Sequence, residues 1–250
     1  MIELEKASFS YGGKRGLDNI SVLFEDAKVA ALLGANGSSK STLLGVASGR
    51  LRISSGAVRI DGKDASALSA KERSQLVSVL PQSRNIPDIT AFSLALHGRF
   101  PYLSYPRIYS KEDLEKTAKA LRDAGAYELK DRRMAELSGG ERQRVYLAMV
   151  INQDTKNVLL DEPATFLDLA RQAELVDMLG RLARMGKCVV AVFHDINLAA
   201  QCADHFAVMR DGRITAFGKP AEVIESGALG EALGVEITAR AWYGVKSEKN

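Results

Sequence analysis

The sequence has no long hydrophobic run. Crossing a bilayer takes roughly 18–20 consecutive apolar residues, and the longest apolar stretches here, such as 29–33 and 188–193, have only the length of strands. A soluble chain is expected, and any work at a membrane needs a partner. The opening Met1-Ile2-Glu3-Leu4-Glu5-Lys6 lacks the basic, apolar and small-residue succession of a secretory leader. Cysteine is scarce. Cys188 opens an apolar run and Cys202 sits in an alanine-rich helical stretch; two cysteines at this spacing argue against a disulfide framework or a zinc site, and both read as buried small hydrophobes. An excess of one charge is missing too. The balance of 34 basic and 31 acidic residues, 34 − 31 = +3, is too mild to argue for nucleic acid or for general adhesion to anionic membranes. Internal repeats and low-complexity tracts are absent.

What is present fits a globular protein of one domain, or one domain with a subdomain: 250 residues, 46% apolar and 26% charged. Near the start Ile2 and Leu4 alternate with Glu3 and Glu5, and Gly12-Gly13 marks a turn, so the first thirty residues read as strands and turns. Residues 29–33 form a short continuous apolar run, as in a strand buried on both faces. A Gly/Ser loop and a helix-compatible segment, 41–48, follow. Residues 57–60 end at Asp61-Gly62, a hairpin-type turn. From about 81 to 134 the character changes: Pro81, Pro87, Pro101 and Pro106 interrupt the first part, and a polar helical stretch, 110–124, follows. This reads as an inserted, mostly helical subdomain. Strand patterns return at 158–160, 189–193 and 206–209. Between the first two, Leu175, Met178, Leu179 and Leu182 have helical spacing, with Asp168 placed to cap the start and Gly186 the end. Strands alternating with helices predict a parallel sheet covered by helices. The polar last residues, 246–250, are expected to fray.

Three segments carry chemistry. Gly34-Ala35-Asn36-Gly37-Ser38-Ser39-Lys40-Ser41-Thr42 follows a buried strand and opens a helix, the context a phosphate-binding loop requires. Its backbone N–H groups converge on an anion, and the helix start adds partial positive charge. Lys40 is placed to reach β- and γ-phosphates and Ser41 to offer its hydroxyl to Mg²⁺. One position departs from the usual pattern: glycine normally precedes the lysine, and here it is Ser39, whose Cβ stands where the backbone should approach the phosphate. The second segment, Val158-Leu159-Leu160-Asp161-Glu162-Pro163, is an apolar strand ending in two carboxylates. Asp161 suits Mg²⁺, directly or through water, and Glu162 suits a group that orients or deprotonates water. In the third, Leu137-Ser138-Gly139-Gly140-Glu141-Arg142-Gln143-Arg144, Ser138 and Glu141 have capping-box spacing. The two glycines expose N–H groups at a helix start, and Val145, Ala148 and Met149 give the helix an apolar face.

Residues 137–144 resemble the signature of ABC ATPases, and the order of motifs resembles that family along almost the whole chain. The resemblance implies roles for further residues. Tyr11 falls where the family stacks an aromatic ring on adenine. Gln82, after Val79-Leu80-Pro81, is similar to the glutamine that senses γ-phosphate and Mg²⁺ and contacts the permease side. Asp168, in Thr165-Phe166-Leu167-Asp168, resembles the loop that crosses to the partner subunit. His194 resembles the switch histidine that contacts γ-phosphate. His97 and His205 match no motif and read as structural or surface residues. The family implies a P-loop NTPase (RecA-like) α/β core with a predominantly parallel sheet, an N-terminal antiparallel β subdomain and an inserted helical subdomain. Residues 1–82 and 156–218 would form the core with its β subdomain, 83–155 the helical insertion with the signature, and 219–250 a C-terminal segment.

The family also implies ATP hydrolysis with Mg²⁺, by a homodimer that sandwiches two ATP molecules so that the signature of one copy completes the site of the other. It would lie on the cytoplasmic face of the membrane beneath permease subunits, fed indirectly by an extracytoplasmic substrate-binding protein, with no nucleic-acid partner. Gly98-Arg99-Phe100-Pro101-Tyr102-Leu103 and Phe193-His194-Asp195-Ile196-Asn197-Leu198-Ala199 are similar to the subfamily serving iron-siderophore, haem and cobalamin importers. A zinc or manganese importer, a soluble ABC ATPase outside transport, and a nucleotide-binding subunit that does not hydrolyse are the alternatives.

Overall fold

In the computed structural model, which describes residues 1–82 and 86–237, the chain opens with an antiparallel pair, β1 (Ile2–Tyr11) and β2 (Lys14–Phe24). The turn between them is Gly12-Gly13, both at positive φ, as a two-residue hairpin loop requires. Next come β3 (Val29–Leu33), α1 (Lys40–Ala47), β4 (Ser55–Ile60), β5 (Lys63–Asp64), α2 (Ala70–Leu76) and β6 (Val77–Leu80). Then follow α3 (Ala91–Leu96), a 3-10 segment His97–Tyr102, α4 (Lys111–Asp123), two short 3-10 turns and α5 (Gly139–Gln153). The remainder alternates: β7 (Asn157–Leu160), α6 (Leu169–Arg184), β8 (Cys188–Val192), α7 (Ile196–Cys202), β9 (His205–Arg210), β10 (Arg213–Gly218), α8 (Pro220–Glu225) and α9 (Ala228–Leu233).

Two sheets result. One has the order β2-β1-β4-β5 and is antiparallel throughout. The other has the order β10-β9-β3-β8-β7-β6, parallel from β9 to β6 with β10 antiparallel at its edge. The two-residue period of β3 divides the hydrophobic core. Val29, Ala31 and Leu33 join the cluster built with α5, α6 and α7, while Ala30 and Leu32 join the one built with α1 and the antiparallel sheet. Every residue of β3, β7 and β8 is buried, which is why β3, β8 and, after Asn157, β7 read as apolar runs.

The expected helix within 110–124 is α4, begun by a Ser110/Asp113 capping box. Asp168 caps α6, its carboxylate accepting the Arg171 N–H at 2.9 Å. Cys188 is buried, whereas Cys202 is half-buried. Among the described residues no helix is long and apolar enough to cross a membrane. The expected frayed end, 246–250, lies outside the described residues.

Candidate active site

Four adjacent parallel strands deliver the site residues, all at their carboxyl ends, where open α/β sheets bind ligands. β3 runs into the loop 34–39, β8 is followed by His194, β7 by Asp161 and Glu162, and β6 by Gln82. Asn36, Gly37, Ser39, Lys40, Ser41, Thr42, Gln82 and Glu162 line one cleft of about 370 Å³.

The loop is shaped by its glycines. Gly34 has φ +145°, and a Cβ there would lie 2.2 Å from the Met209 carbonyl oxygen, so only glycine lets the loop pass β9. Gly37 has φ +81° with open space around it. Ser39 also takes a left-handed conformation, φ 77° and ψ 26°, directly before α1. A non-glycine residue there holds local strain of about 1–2 kcal/mol. No acidic residue occupies the first turn of α1, so the helix itself places no negative side chain against an anion at that end.

Lys40 is buried, and its ammonium donates to the carbonyls of Gly34 and Ala35, both at 2.8 Å. Burial holds its pKa below the usual lysine value, against the pull of Glu162 and Asp161. Asp161 is 5% exposed, and its Oδ1 has no hydrogen-bond partner. Burial pushes this carboxyl above the ordinary carboxylate range, and the neighbouring Glu162 charge pushes the same way; the Ser41 hydroxyl bonded to it and the charges of Lys40 and His194 pull it back. A buried carboxylate oxygen without a donor is a costly arrangement that a cation relieves. Asp161 with the Ser41 hydroxyl and Gln82 therefore fits Mg²⁺, which leans on few protein oxygens and completes its shell with water and phosphate oxygens. Ser38 Oγ is likewise buried without a partner.

Glu162 is the hub. Its Oε1 accepts from Gln82 Nε2 at 2.7 Å and meets His194 Nε2 at 2.7 Å, and its Oε2 lies 3.4 Å from the Thr165 hydroxyl. Its backbone is left-handed, φ 52°, one of three non-glycine residues in the site segments so held, with Ser39 and Phe166.

The other expected residues gather elsewhere. Ser138 caps α5 and forms the box with Glu141. Gly139 and Gly140 lie against Phe166: a Cβ on Gly140 would stand 2.8 Å from the Phe166 carbonyl oxygen, and one on Gly139 3.3 Å from its ring. Within one chain, neither this segment, nor Asp168, nor Tyr11 lines the phosphate cleft. Tyr11 is half-exposed at the end of β1, edge-on to Phe9 with ring centroids 4.6 Å apart.

Three residues lie inside the sequence motifs, which assign them no role of their own. Thr165 adds a hydroxyl beside Glu162. Phe166 is 75% exposed at φ 67° over the two glycines. Gln143, buried in α5, donates from Nε2 to the Pro163 carbonyl at 2.7 Å, tying the capped helix to the segment that bears Glu162. A glutamine inside a helix gives no sequence signal for that contact.

The sequence profile of the ABC transporter family matches residues 17–165. The chain is 37% identical over 222 residues to the ferric enterobactin transport ATP-binding protein of Escherichia coli, covering 88% of this chain and 82% of that protein. It is 37% identical over 241 residues to the hemin import ATP-binding protein of Myxococcus xanthus, covering 93% and 90%. The fold matches a dimeric ATP-binding cassette in a post-hydrolysis state bound to ADP and Pi, with a TM-score of 0.80 and 25% identity over 88% of this chain and 99% of that one.

Proposed function

Since the chain belongs to the ABC transporter family, we propose that it is the ATP-hydrolysing subunit of an importer of an iron complex, ferric siderophore or haem. The observation that carries the catalytic reading is the convergence of the loop 34–42, Asp161, Glu162, Gln82 and His194 at the ends of four neighbouring strands. The names of its relatives support the cargo class. Two copies would work beneath permease subunits at the cytoplasmic face of the membrane, fed by an extracytoplasmic binding protein. Residues 1–82 with 156–218, 83–155, and 219–250 are the core, helical insertion and C-terminal segment of that reading.

Phosphoryl transfer to water is mainly positioning and charge stabilisation. Lys40 leaves the Gly34 and Ala35 carbonyls for the β- and γ-phosphates, and the loop N–H groups hold the same oxygens. Ser41, Asp161 and Gln82 would hold Mg²⁺, which would supply neutralising charge there. Glu162 orients water and takes its proton as the water oxygen bonds to the γ-phosphorus; the bond to the bridging oxygen breaks, leaving ADP and phosphate. For this, Gln82 and His194 must release Glu162 and turn to the γ-phosphate. Tyr11 stacks on adenine. Ser138, Gly139, Gly140 and Glu141 of a second copy close over the triphosphate, with Asp168 crossing beside them. The apolar Phe166 and Leu169, both exposed around Asp168, give that face a surface to bury against the second copy. ATP favours the closed pair because these contacts exist only there.

Replacing Ser39 with glycine removes both the strain and the Cβ from the phosphate loop. Expected is a gain of about 1 kcal/mol in stability with tighter ATP binding or faster turnover, read by thermal melting and by phosphate release in the presence of the permease. Unchanged melting, affinity and rate would show that the serine is accommodated without consequence. Phosphate release by the parent protein, stimulated when permease and iron-loaded binding protein are reconstituted with it, tests the whole reading; binding of ATP without release of phosphate would favour a regulatory subunit.

A further inference from the structure

A second cavity, of about 540 Å³, lies at the other end of α1 from the phosphate loop and shares no residue with the cleft. Its walls are the segment after α1, the start of β4, the turn 64–66 and Arg73 of α2. Three arginines line it, Arg50, Arg52 and Arg73, against one acidic residue, Asp64. That leaves 3 − 1 = +2.

Arg73 is fixed in place. Its stem crosses Gly49 so closely that a Cβ there would lie 2.7 Å from Arg73 Cδ, and Gly49 has φ +69°. Its Nη1 donates to the Leu68 carbonyl at 2.8 Å, leaving the rest of the fork free to bond. The one acid is already engaged: Asp64 accepts the Ser66 N–H at 2.8 Å and the Ser66 hydroxyl, bonds that hold its carboxyl below the usual value. Among the described residues, Arg50, Arg52 and Arg73 have no acidic partner. The chain satisfies other arginines with carboxylates: Arg59 with Glu3 and Glu5, Arg99 with Asp113, and Arg213 with Asp18. Acids are not in short supply, with 31 in the sequence.

We propose that this cavity binds a phosphate-bearing anion of about nucleotide size, at a site separate from the phosphate loop. Guanidinium forks match phosphate oxygens two at a time. The volume falls in the range of about 300–1,000 Å³ that small-molecule sites occupy, and a single inorganic phosphate would leave most of it empty. The phosphate is either free in solution or carried by a lipid headgroup, since the chemistry that recognises it is the same.

The test uses the full chain carrying Lys40→Ala, which silences the phosphate loop. Calorimetric titration with tripolyphosphate is expected to give one site per chain, weakened roughly tenfold by Arg50→Ala and as much again by Arg52→Ala, and weakened by added salt. Both side chains are exposed, so the fold should survive, and an unchanged melting curve checks this. In parallel, flotation with phosphatidylcholine vesicles, with and without phosphatidylglycerol, reads the lipid source. Arginine-dependent binding to the phosphatidylglycerol vesicles without tripolyphosphate binding assigns the phosphate to a headgroup and still supports the site. If neither probe separates the double variant from its parent, the proposal is overturned. Because Lys40 is already replaced, that result leaves the nucleotide reading untouched, which ATP binding by the otherwise native Arg50→Ala, Arg52→Ala chain reports separately.

Discussion

The Glu162→Gln protein is expected to bind ATP at least as tightly as its parent, to hydrolyse it at least about 100-fold more slowly, and to accumulate as an ATP-bound dimer. The amide is isosteric, and its oxygen can still accept from Gln82 Nε2, which lies 2.7 Å from Glu162 Oε1 in the resting site. The left-handed backbone at 162 is as costly for glutamine as for glutamate, so stability should hardly change. What disappears is the one group positioned to take a proton from water, together with a negative charge close to where the γ-phosphate sits. Losing that charge does not weaken binding of an anion. Without cleavage, the contacts that ATP provides between the copies are never removed, and the pair stays closed. Phosphate release measures the first effect, equilibrium ATP binding the second and gel filtration with and without ATP the third. Normal steady-state hydrolysis would show that Glu162 is not the base.

Gly34→Ala is expected to be the most damaging single methyl group in the site. Two costs combine. A Cβ 2.2 Å from the Met209 carbonyl oxygen must displace either the loop or β9, an overpacking cost of about 1–3 kcal/mol. The φ of +145° is hostile to any side chain, adding about 1–3 kcal/mol. The sum, about 2–6 kcal/mol, corresponds at its middle to a fall of roughly 10 °C in Tm for a domain of this size. Gly37→Ala is the control. Its φ of +81° carries the conformational cost, but no atom lies within 4 Å, so about 1–2 kcal/mol is expected. Equal melting temperatures for the two variants would show that the contact with β9 is not what fixes the loop.

Much of the site could be read from the sequence because its parts are local. A run buried on both faces, a glycine-rich loop and a helix start occupy consecutive residues, so β3, residues 34–39 and α1 are legible together. The same holds for β7 with Asp161 and Glu162, and for the Ser138/Glu141 box. Other elements leave weak traces. α3 has only six residues and lies among prolines. β10 alternates between exposed and half-buried residues at a sheet edge, so its hydrophobic contrast is low. α2 buries no residue at all. The left-handed Phe166 is set by tertiary contact with Gly139 and Gly140, which no local pattern encodes. The contacts of Gln82 and His194 with one oxygen of Glu162 bring together residues about 80 and 30 positions away in the chain, a convergence that needs the parallel sheet to exist.

The phosphate loop and the Ser138 segment each lie ready in one chain but do not share a cleft there, so the central claim is that they meet between two copies. A disulfide between Asn36→Cys and Gly139→Cys, introduced together into the Glu162→Gln protein, tests it most directly. The native thiols should stay silent, because burial pushes both Cys188 and Cys202 up to about 12. With ATP and Mg²⁺, mild oxidation should give a cross-linked dimer on a denaturing gel, and without nucleotide little or none. A monomer under both conditions, with ATP binding shown to be intact, would contradict the shared site.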